Sequence, residues 1–140
     1  RHLASYLENV VLSTDWDFDI VVPIPLSPNK LEERSYNQAS RLAKPLAASL
    51  NKPFKPETLS RIRETSSQVG LDKQSRLENV RDAFRADSRL AKGHSFLLVD
   101  DVYTTGATLE SAASELKLSG ATRVYALTLA KSKSIVKNFE

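Results

Sequence analysis

The sequence of 140 residues contains no cysteine and only four glycines. Without cysteine, the chain has no disulfides, no thiolate catalysis and no zinc site built on cysteine. The four glycines form no Gly-x-Gly-x-x-Gly loop and no Gly-Lys dipeptide occurs, which excludes dinucleotide-binding and P-loop sites. There is no Gly-x-Ser-x-Gly elbow either, and His2 and His94 follow no nucleophile pattern. We expect both histidines on the surface.

Long apolar runs and a strong charge imbalance are also missing. No run approaches the roughly 18 to 20 residues of a membrane helix, and no secretory signal opens the chain. We therefore expect a cytoplasmic protein without a membrane partner. A net charge of +3 is too small to indicate nucleic-acid binding by itself. With 41% hydrophobic and 26% charged residues, the composition favours one globular domain over residues 1–140. Because the chain opens on Arg1 and lacks methionine, we expect its natural start to lie upstream.

Apolar periodicity predicts two helices and one strand in the first fifty residues. Residues 2–11 and residues 36–50 both repeat apolar side chains at helical spacing. Pro45 lies inside the second pattern and should kink that helix or split it in two. The apolar run at residues 20–24 precedes a proline, which predicts a buried strand ending in a sharp turn. Residues 54–62 give only a weak strand signal, because two prolines interrupt them.

The second half predicts a strand–helix–strand unit. The apolar run at residues 96–99 shows no alternation, as expected of a strand buried on both faces. A helix with apolar positions from Leu109 to Leu116 follows and can end at Gly120, and residues 123–130 read as another strand. The fold class is therefore α/β, a single domain with a mainly parallel sheet flanked by helices.

Three other segments give weaker signals. Asp72 is a candidate cap for a helix through Leu77 and Val80 that extends to Phe84. Trp16, between two aspartates, is interpreted as a core or edge anchor rather than a binding platform. The lysines of residues 131–137 are interpreted as a solvated basic run.

The most informative stretch follows the strand at residues 96–99. Asp100 and Asp101 stand at its carboxyl end, where open α/β sheets bind their ligands. Two threonines and a glycine come next, and their N–H groups can form an anion-binding concavity at a helix N-terminus. Carboxylates followed by a phosphate cradle suit a ribose 5-phosphate. The predicted site comprises Asp100, Asp101, Val102, Tyr103, Thr104, Thr105, Gly106, Ala107 and Thr108.

A second interpretation of this stretch requires no ligand. Adjacent aspartates at a strand end often act as a helix cap and a solvated neighbour, and successive strand side chains point to opposite faces. Tyr103 can pack under the loop instead of stacking on a base.

The stretch from residue 99 to residue 108 resembles the phosphoribosyl diphosphate (PRPP) signature of type I phosphoribosyltransferases. Residues 23–26 and 34–39 further resemble motifs of the ComF/GntX family, as does a spaced central set: Arg61, Arg63, Thr65, Gln68, Leu71, Arg76, Asn79, Ala83 and Phe84. The resemblance spans residues 18–130. Ser35 replaces the family's usual glycine, and the N-terminal four-cysteine zinc module common in the family is absent here.

The resemblance implies a type I phosphoribosyltransferase fold with a mobile hood, and catalysis by Asp100 and Asp101. In such enzymes an acceptor displaces diphosphate at the ribose anomeric carbon, and Mg²⁺ neutralises the leaving group. Asp100 and Asp101 would orient the ribose and hold the Mg²⁺ indirectly. Diphosphate binding would fall to Lys30, Arg34, Arg61, Arg63 and Arg76. The alternative interpretation of each of these five residues is a solvated surface charge that binds no ligand.

Two functions follow from the resemblance. The first is a Mg²⁺-dependent phosphoribosyltransferase that binds PRPP, or another ribose 5-phosphate ligand, and uses an acceptor the sequence does not name. The second is a non-catalytic factor for single-stranded DNA and competence that keeps the fold for PRPP sensing. Basic residues exceed acidic ones by three between Arg61 and Lys92, which equals the surplus of the whole chain. The sequence leaves the oligomeric state open.

Overall fold

The computed structural model describes residues 2–26, 38–62, 83–101, 107–130 and 133–139. The strands are β1 (Ile20–Pro23), β2 (Leu59–Arg61), β3 (Phe84–Ala86), β4 (Ser95–Asp100), β5 (Arg123–Ala130) and β6 (Lys133–Phe139). The α-helices are α1 (His2–Leu12), α2 (Gln38–Leu50), α3 (Ser88–Ala91) and α4 (Ala107–Leu118), and Pro56–Thr58 form a 3₁₀ turn. Among the described residues, no helix has both the length and the apolar character needed to cross a membrane.

The central sheet has the strand order β1-β4-β5-β6. β1 and β5 both pair in parallel with β4, in a register that joins Ile20 to Phe96 and Leu98 to Ala126. The helix α4 makes the crossover between β4 and β5, as a parallel connection requires. The predicted strand–helix–strand unit and the mainly parallel α/β sheet are confirmed.

The strand β6 covers most of the predicted basic run at residues 131–137 and is an element that the sequence does not predict. β6 pairs antiparallel with β5, and Leu127 lies opposite Val136. Adjacent Ile135 and Val136 have the branched side chains that strands favour. Lys137 is only partly exposed, and its Nζ lies 3.5 Å from Glu110 Oε2. Lys133 and Lys137 therefore belong to an edge strand, whereas Lys131 lies outside the described residues.

Side-chain alternation along the strands divides the core into two layers. On one face, Phe96 and Leu98 of β4 pack with α4 and with the β2–β3 hairpin. On the other face, Leu97 and Val99 pack with α1 and α2. All five residues 95–99 are buried. β4 is thus buried on both faces, as its continuous apolar run predicts.

The helices α1 and α2 form the cover of the second face. Leu7 and Val11 bury one stripe of α1, whereas Tyr6 remains 43% exposed. α2 runs without interruption through Pro45, so the expected division into two helices is wrong. Pro45 lies on the exposed side of α2, between the buried residues Ala43 and Leu46.

The hairpin of β2 and β3 corrects one expectation and confirms another in part. Phe84 does not end a helix: it lies in β3 opposite Arg61 of β2 and is buried. The rest of the helix expected from Asp72 lies outside the described residues. Residues 54–62 do hold a strand, but it is shorter than the segment: Phe54 makes a single bridge to Val21, and the 3₁₀ turn then leads into β2.

Polar and aromatic contacts stabilise the edge of the sheet at which the parallel strands begin. Asp19 accepts a hydrogen bond from the Ser95 N–H at 3.1 Å and lies 3.1 Å from Nδ1 of His94, which is half exposed. The Ser95 N–H holds the pKa of Asp19 below its ordinary value; burial opposes this effect and His94 adds to it. Trp16 stacks on Tyr125 of β5 with ring centroids 4.7 Å apart. Trp16 is therefore the edge anchor that the sequence predicts.

Candidate functional site

The acidic pair lies at the carboxyl edge of the parallel strands. β1, β4 and β5 run in the same direction, so their ends at Pro23, Asp100 and Ala130 share one edge of the sheet. Asp100 is the last residue of β4, and Asp101 follows it directly; both are partly buried. The structure thus places the two predicted carboxylates where an open α/β sheet binds ligands.

The two aspartates interact with each other. The N–H of Asp101 donates a hydrogen bond of 2.9 Å to Oδ1 of Asp100. Burial, reinforced by the negative charge of Asp101, raises the pKa of Asp100 to about 7, against the opposing effects of that N–H bond and of the Arg61 charge. Near pH 7, the protonated and the ionised forms of the Asp100 carboxyl are therefore both populated. Hydrogen bonds from sugar hydroxyls, or the charge of a nearby cation, would stabilise the ionised form of Asp100 against burial and against the charge of Asp101.

The two aspartates lie toward opposite faces of the sheet. By strand alternation, Asp100 continues the row of Phe96 and Leu98, which faces α4 and the hairpin. Asp101 instead lines a cavity of about 440 Å³ whose walls come mainly from α1 and α2. The cavity walls include apolar Leu3 and Leu42. The alternation behind the interpretation that requires no ligand is therefore present, and Asp101 is the member of the pair that lines this cavity.

The helix α4 begins six positions after Asp101 in the sequence. Ala107 is the first residue of α4, and Thr108 in its first turn is partly buried. The N–H groups of a first helical turn have no partner within their helix, and they favour anions. The remaining residues of the predicted phosphate loop (Val102, Tyr103, Thr104, Thr105 and Gly106) lie outside the described residues.

One of the predicted diphosphate-binding cations is placed near the acids. Arg61 ends β2, is partly buried, and stands close enough to Asp100 for its charge to lower the pKa of that carboxyl. Its guanidinium lies over the ring of Phe84, 4.8 Å from the centroid. The other four, Lys30, Arg34, Arg63 and Arg76, lie outside the described residues.

Thr128 is a polar residue of this edge that the sequence analysis does not single out. It lies opposite Asp100 in the register of β4 and β5 and is 1% exposed. Its one sequence signal is a hydroxyl in an otherwise apolar stretch of β5. Reading that signal requires the strand register, which the sequence alone does not fix.

The residues present suit magnesium better than a metal that needs a complete protein cage. Among the described parts of the chain, no group of three or more histidine, cysteine, aspartate or glutamate residues could hold a metal ion. Mg²⁺ commonly takes one or two carboxylates and completes its shell with water and substrate phosphates. Asp100 and Asp101 offer this donor set, and a cation there would offset the repulsion between them.

Comparison with known sequences places the chain among phosphoribosyltransferase-related proteins. The family profile described as "Phosphoribosyl transferase domain" matches residues 35–138. The chain is 33% identical over 114 residues to DNA utilization protein YhgH of Salmonella typhi, covering 81% of this chain and 50% of that protein. It is 36% identical over 114 residues to competence protein ComFC of Bacillus subtilis, covering 81% and 45%. The chain thus spans about half the length of these relatives.

Solved structures show the same fold. Glutamine PRPP amidotransferase from B. subtilis superposes with a TM-score of 0.60 at 20% identity, over 90% of this chain and 25% of that chain. Adenine phosphoribosyltransferase from Thermoanaerobacter pseudethanolicus superposes with a TM-score of 0.55 at 17% identity, over 90% and 69%. The predicted fold class and the resemblance to competence proteins are both confirmed.

Proposed function

The chain belongs to the phosphoribosyl transferase domain family, and from that premise we propose that it binds PRPP with Mg²⁺ and transfers the phosphoribosyl group to an acceptor. The observation that supports this most strongly is the position of the acidic pair: Asp100 ends the buried strand β4, Asp101 follows it, and the helix α4 begins at Ala107. Neighbouring carboxylates at that edge match a ligand that carries vicinal hydroxyls.

In this proposal the acidic pair binds the sugar. The carboxylates accept hydrogen bonds from the ribose 2- and 3-hydroxyls, and the segment from residue 102 to Thr108 takes the 5-phosphate. α4 begins within this segment, so the first-turn N–H groups favour that anion. Arg61 contributes positive charge beside the pair. Mg²⁺, when bound, would neutralise charge on the diphosphate.

The transfer itself breaks one bond and forms another at the ribose anomeric carbon. The bond to the diphosphate oxygen breaks, the diphosphate keeps the electron pair, and the acceptor nucleophile supplies the pair for the new bond. Positive charge builds on the sugar in between, and the fixed carboxylates of Asp100 and Asp101 stabilise it electrostatically.

The binding step is tested by titrating PRPP into the protein with and without Mg²⁺, using calorimetry. We expect saturable binding that depends on Mg²⁺ and a large loss of affinity in Asp101→Ala. Asp17→Ala is the matched control, because the Asp17 side chain is 82% exposed and precedes β1 at the opposite edge. No binding by the wild type, or equal binding by the wild type and Asp101→Ala, contradicts the proposal.

A second candidate function is a factor that handles single-stranded DNA. The names of two relatives favour it, since one is called a DNA utilization protein and the other a competence protein. The basic surplus between Arg61 and Lys92 adds charge for phosphate contacts. Such binding should weaken steeply with salt, because phosphate contacts release counterions.

The two functions are separated by turnover. Release of diphosphate from PRPP, measured with and without nucleobase or amine acceptors, indicates transfer. Binding of PRPP without release, together with salt-dependent binding of a single-stranded oligonucleotide, indicates a sensor that handles DNA. Absence of oligonucleotide binding even at low salt removes the second candidate.

A further inference from the structure

The hydroxyl of Thr128 differs from that of another deeply buried threonine. Thr58 and Thr128 are each 1% exposed. The Thr58 hydroxyl donates to the carbonyl of Lys55 at 2.9 Å. Oγ1 of Thr128, in contrast, has no hydrogen-bond partner among the described residues. Burying a hydroxyl without a partner costs free energy, whereas valine would fill the same volume without that cost.

The register brings Thr128 next to Asp100. The two residues are direct partners in the parallel pairing of β4 and β5. Phe96 and Leu98 precede Asp100 on one face, and Val124 and Ala126, which precede Thr128, belong to the same core cluster. Side chains on neighbouring strands that share a face are about 5 Å apart at their bases. Rotation of either side chain can therefore bring the hydroxyl to the carboxylate.

The Asp100 carboxylate has capacity for another donor. An ionised carboxylate offers about four lone-pair sites on its two oxygens. The described residues supply one backbone donor, the Asp101 N–H on Oδ1. Because Asp100 is partly buried beside a second acid, each added donor has a larger effect on its orientation than it would in water.

We propose that Thr128 is a positioning residue for Asp100, whose hydroxyl donates to the carboxylate when that carboxylate binds the hydroxyls of a ribose ligand. Thr128 itself is closed off from the ligand, so it acts only through Asp100. The inference rests on the proposed function, because it takes Asp100 as a ribose-binding group.

The test compares Thr128→Val, Thr128→Ser and the control Thr58→Val. The affinity for PRPP with Mg²⁺ is measured by calorimetry, and the midpoint of urea unfolding is measured without ligand. We expect Thr128→Val to weaken PRPP binding about tenfold, since one hydrogen bond to a charged group is lost. Thr128→Ser keeps the hydroxyl and should stay within about threefold of the wild type.

Stability should change in the opposite sense. Thr128→Val removes a buried hydroxyl that has no partner within the described part of the chain, and it should leave the urea midpoint equal or higher. Thr58→Val removes a satisfied hydrogen bond and should lower the midpoint while PRPP affinity is unchanged. Wild-type affinity in Thr128→Val overturns the inference, as does a midpoint that falls as it does in Thr58→Val. Failure of the wild type to bind PRPP instead overturns the proposed function.

Discussion

The guanidinium of Arg61 lies 4.8 Å from the centroid of the Phe84 ring, across the hairpin of β2 and β3. Phe84 is buried in the core layer that also contains α4, so its ring is a fixed platform. A cation over an aromatic face is stabilised by the ring quadrupole. The hairpin thereby holds a positive charge within electrostatic range of Asp100.

Replacing Arg61 should change both the pKa of Asp100 and the affinity for PRPP. In Arg61→Gln we expect the pKa of Asp100 to rise above its value of about 7, because the opposing charge is lost. PRPP affinity should fall roughly tenfold, the equivalent of about 1.4 kcal/mol. The affinity for PRPP is measured by calorimetry. Arg89→Gln is the control, because the Arg89 side chain is 88% exposed and pairs with Asp87 on α3. Equal losses in the two variants contradict a specific role for Arg61.

The raised pKa of Asp100 predicts a pH-dependent cost to stability. The folded-state pKa of about 7 exceeds the ordinary value of 3.8, so the folded protein binds more protons than the unfolded chain between these values. Stability from this group therefore falls as pH rises from 4 to 7, and the cost is complete above 7. Asp100→Asn should raise the free energy of unfolding at pH 8 by roughly 1 to 3 kcal/mol and change it little near pH 4. Urea titrations at both pH values measure this, and a difference independent of pH would refute it.

The stack of Trp16 on Tyr125 should contribute to stability. Trp16→Ala removes a partly buried ring and the aromatic contact, so we expect a loss of about 2 kcal/mol. Trp16→Phe keeps an aromatic ring and should lose less than half of that. Circular dichroism during urea unfolding measures both variants. Equal stability in Trp16→Ala and the wild type would show that the stack adds nothing.

Two glycines should differ in their tolerance of alanine. Gly93 has a φ of +79° and open space where a Cβ would stand, so Gly93→Ala should cost about 1 kcal/mol. Gly120 has a φ of +108°, and a Cβ there would lie 3.0 Å from the Lys92 Cα. Gly120→Ala should therefore lower the melting temperature more than Gly93→Ala does. The reverse order in thermal unfolding would contradict this.

The local sequence pattern was sufficient to predict an element where one short segment determines its structure. β4 is a continuous apolar run that ends at an acid, and burial on both faces leaves few alternatives for such a run. The length of α4 follows in the same way from its apolar spacing and from Gly120. Together these elements fixed the edge of the sheet at which Asp100 and Asp101 stand.

Pattern failed where distant pairing decides the structure. Phe84 continues the helical spacing of Leu77 and Val80, yet its backbone pairs with Arg61, more than twenty positions away. β6 has lysines and polar residues that read as a solvated tail, and pairing with β5 makes it a strand. Thr128 gains its interest from standing opposite Asp100, a register that no local signal specifies. The phosphate loop at residues 102–106 remains a prediction.

The helix α1 packs on the face of the sheet that contains Leu97 and Val99, and the position of its start matters for the choice of purification tag. Leu3, near its start, borders the same cavity as Asp101, so a purification tag fused to the amino terminus is joined to the chain close to this cavity. Phe139, at the end of β6, lies opposite Val124 at the far edge. Ligand titrations are therefore best made with a carboxy-terminal tag or after cleavage, so that an appended peptide does not compete for the cavity.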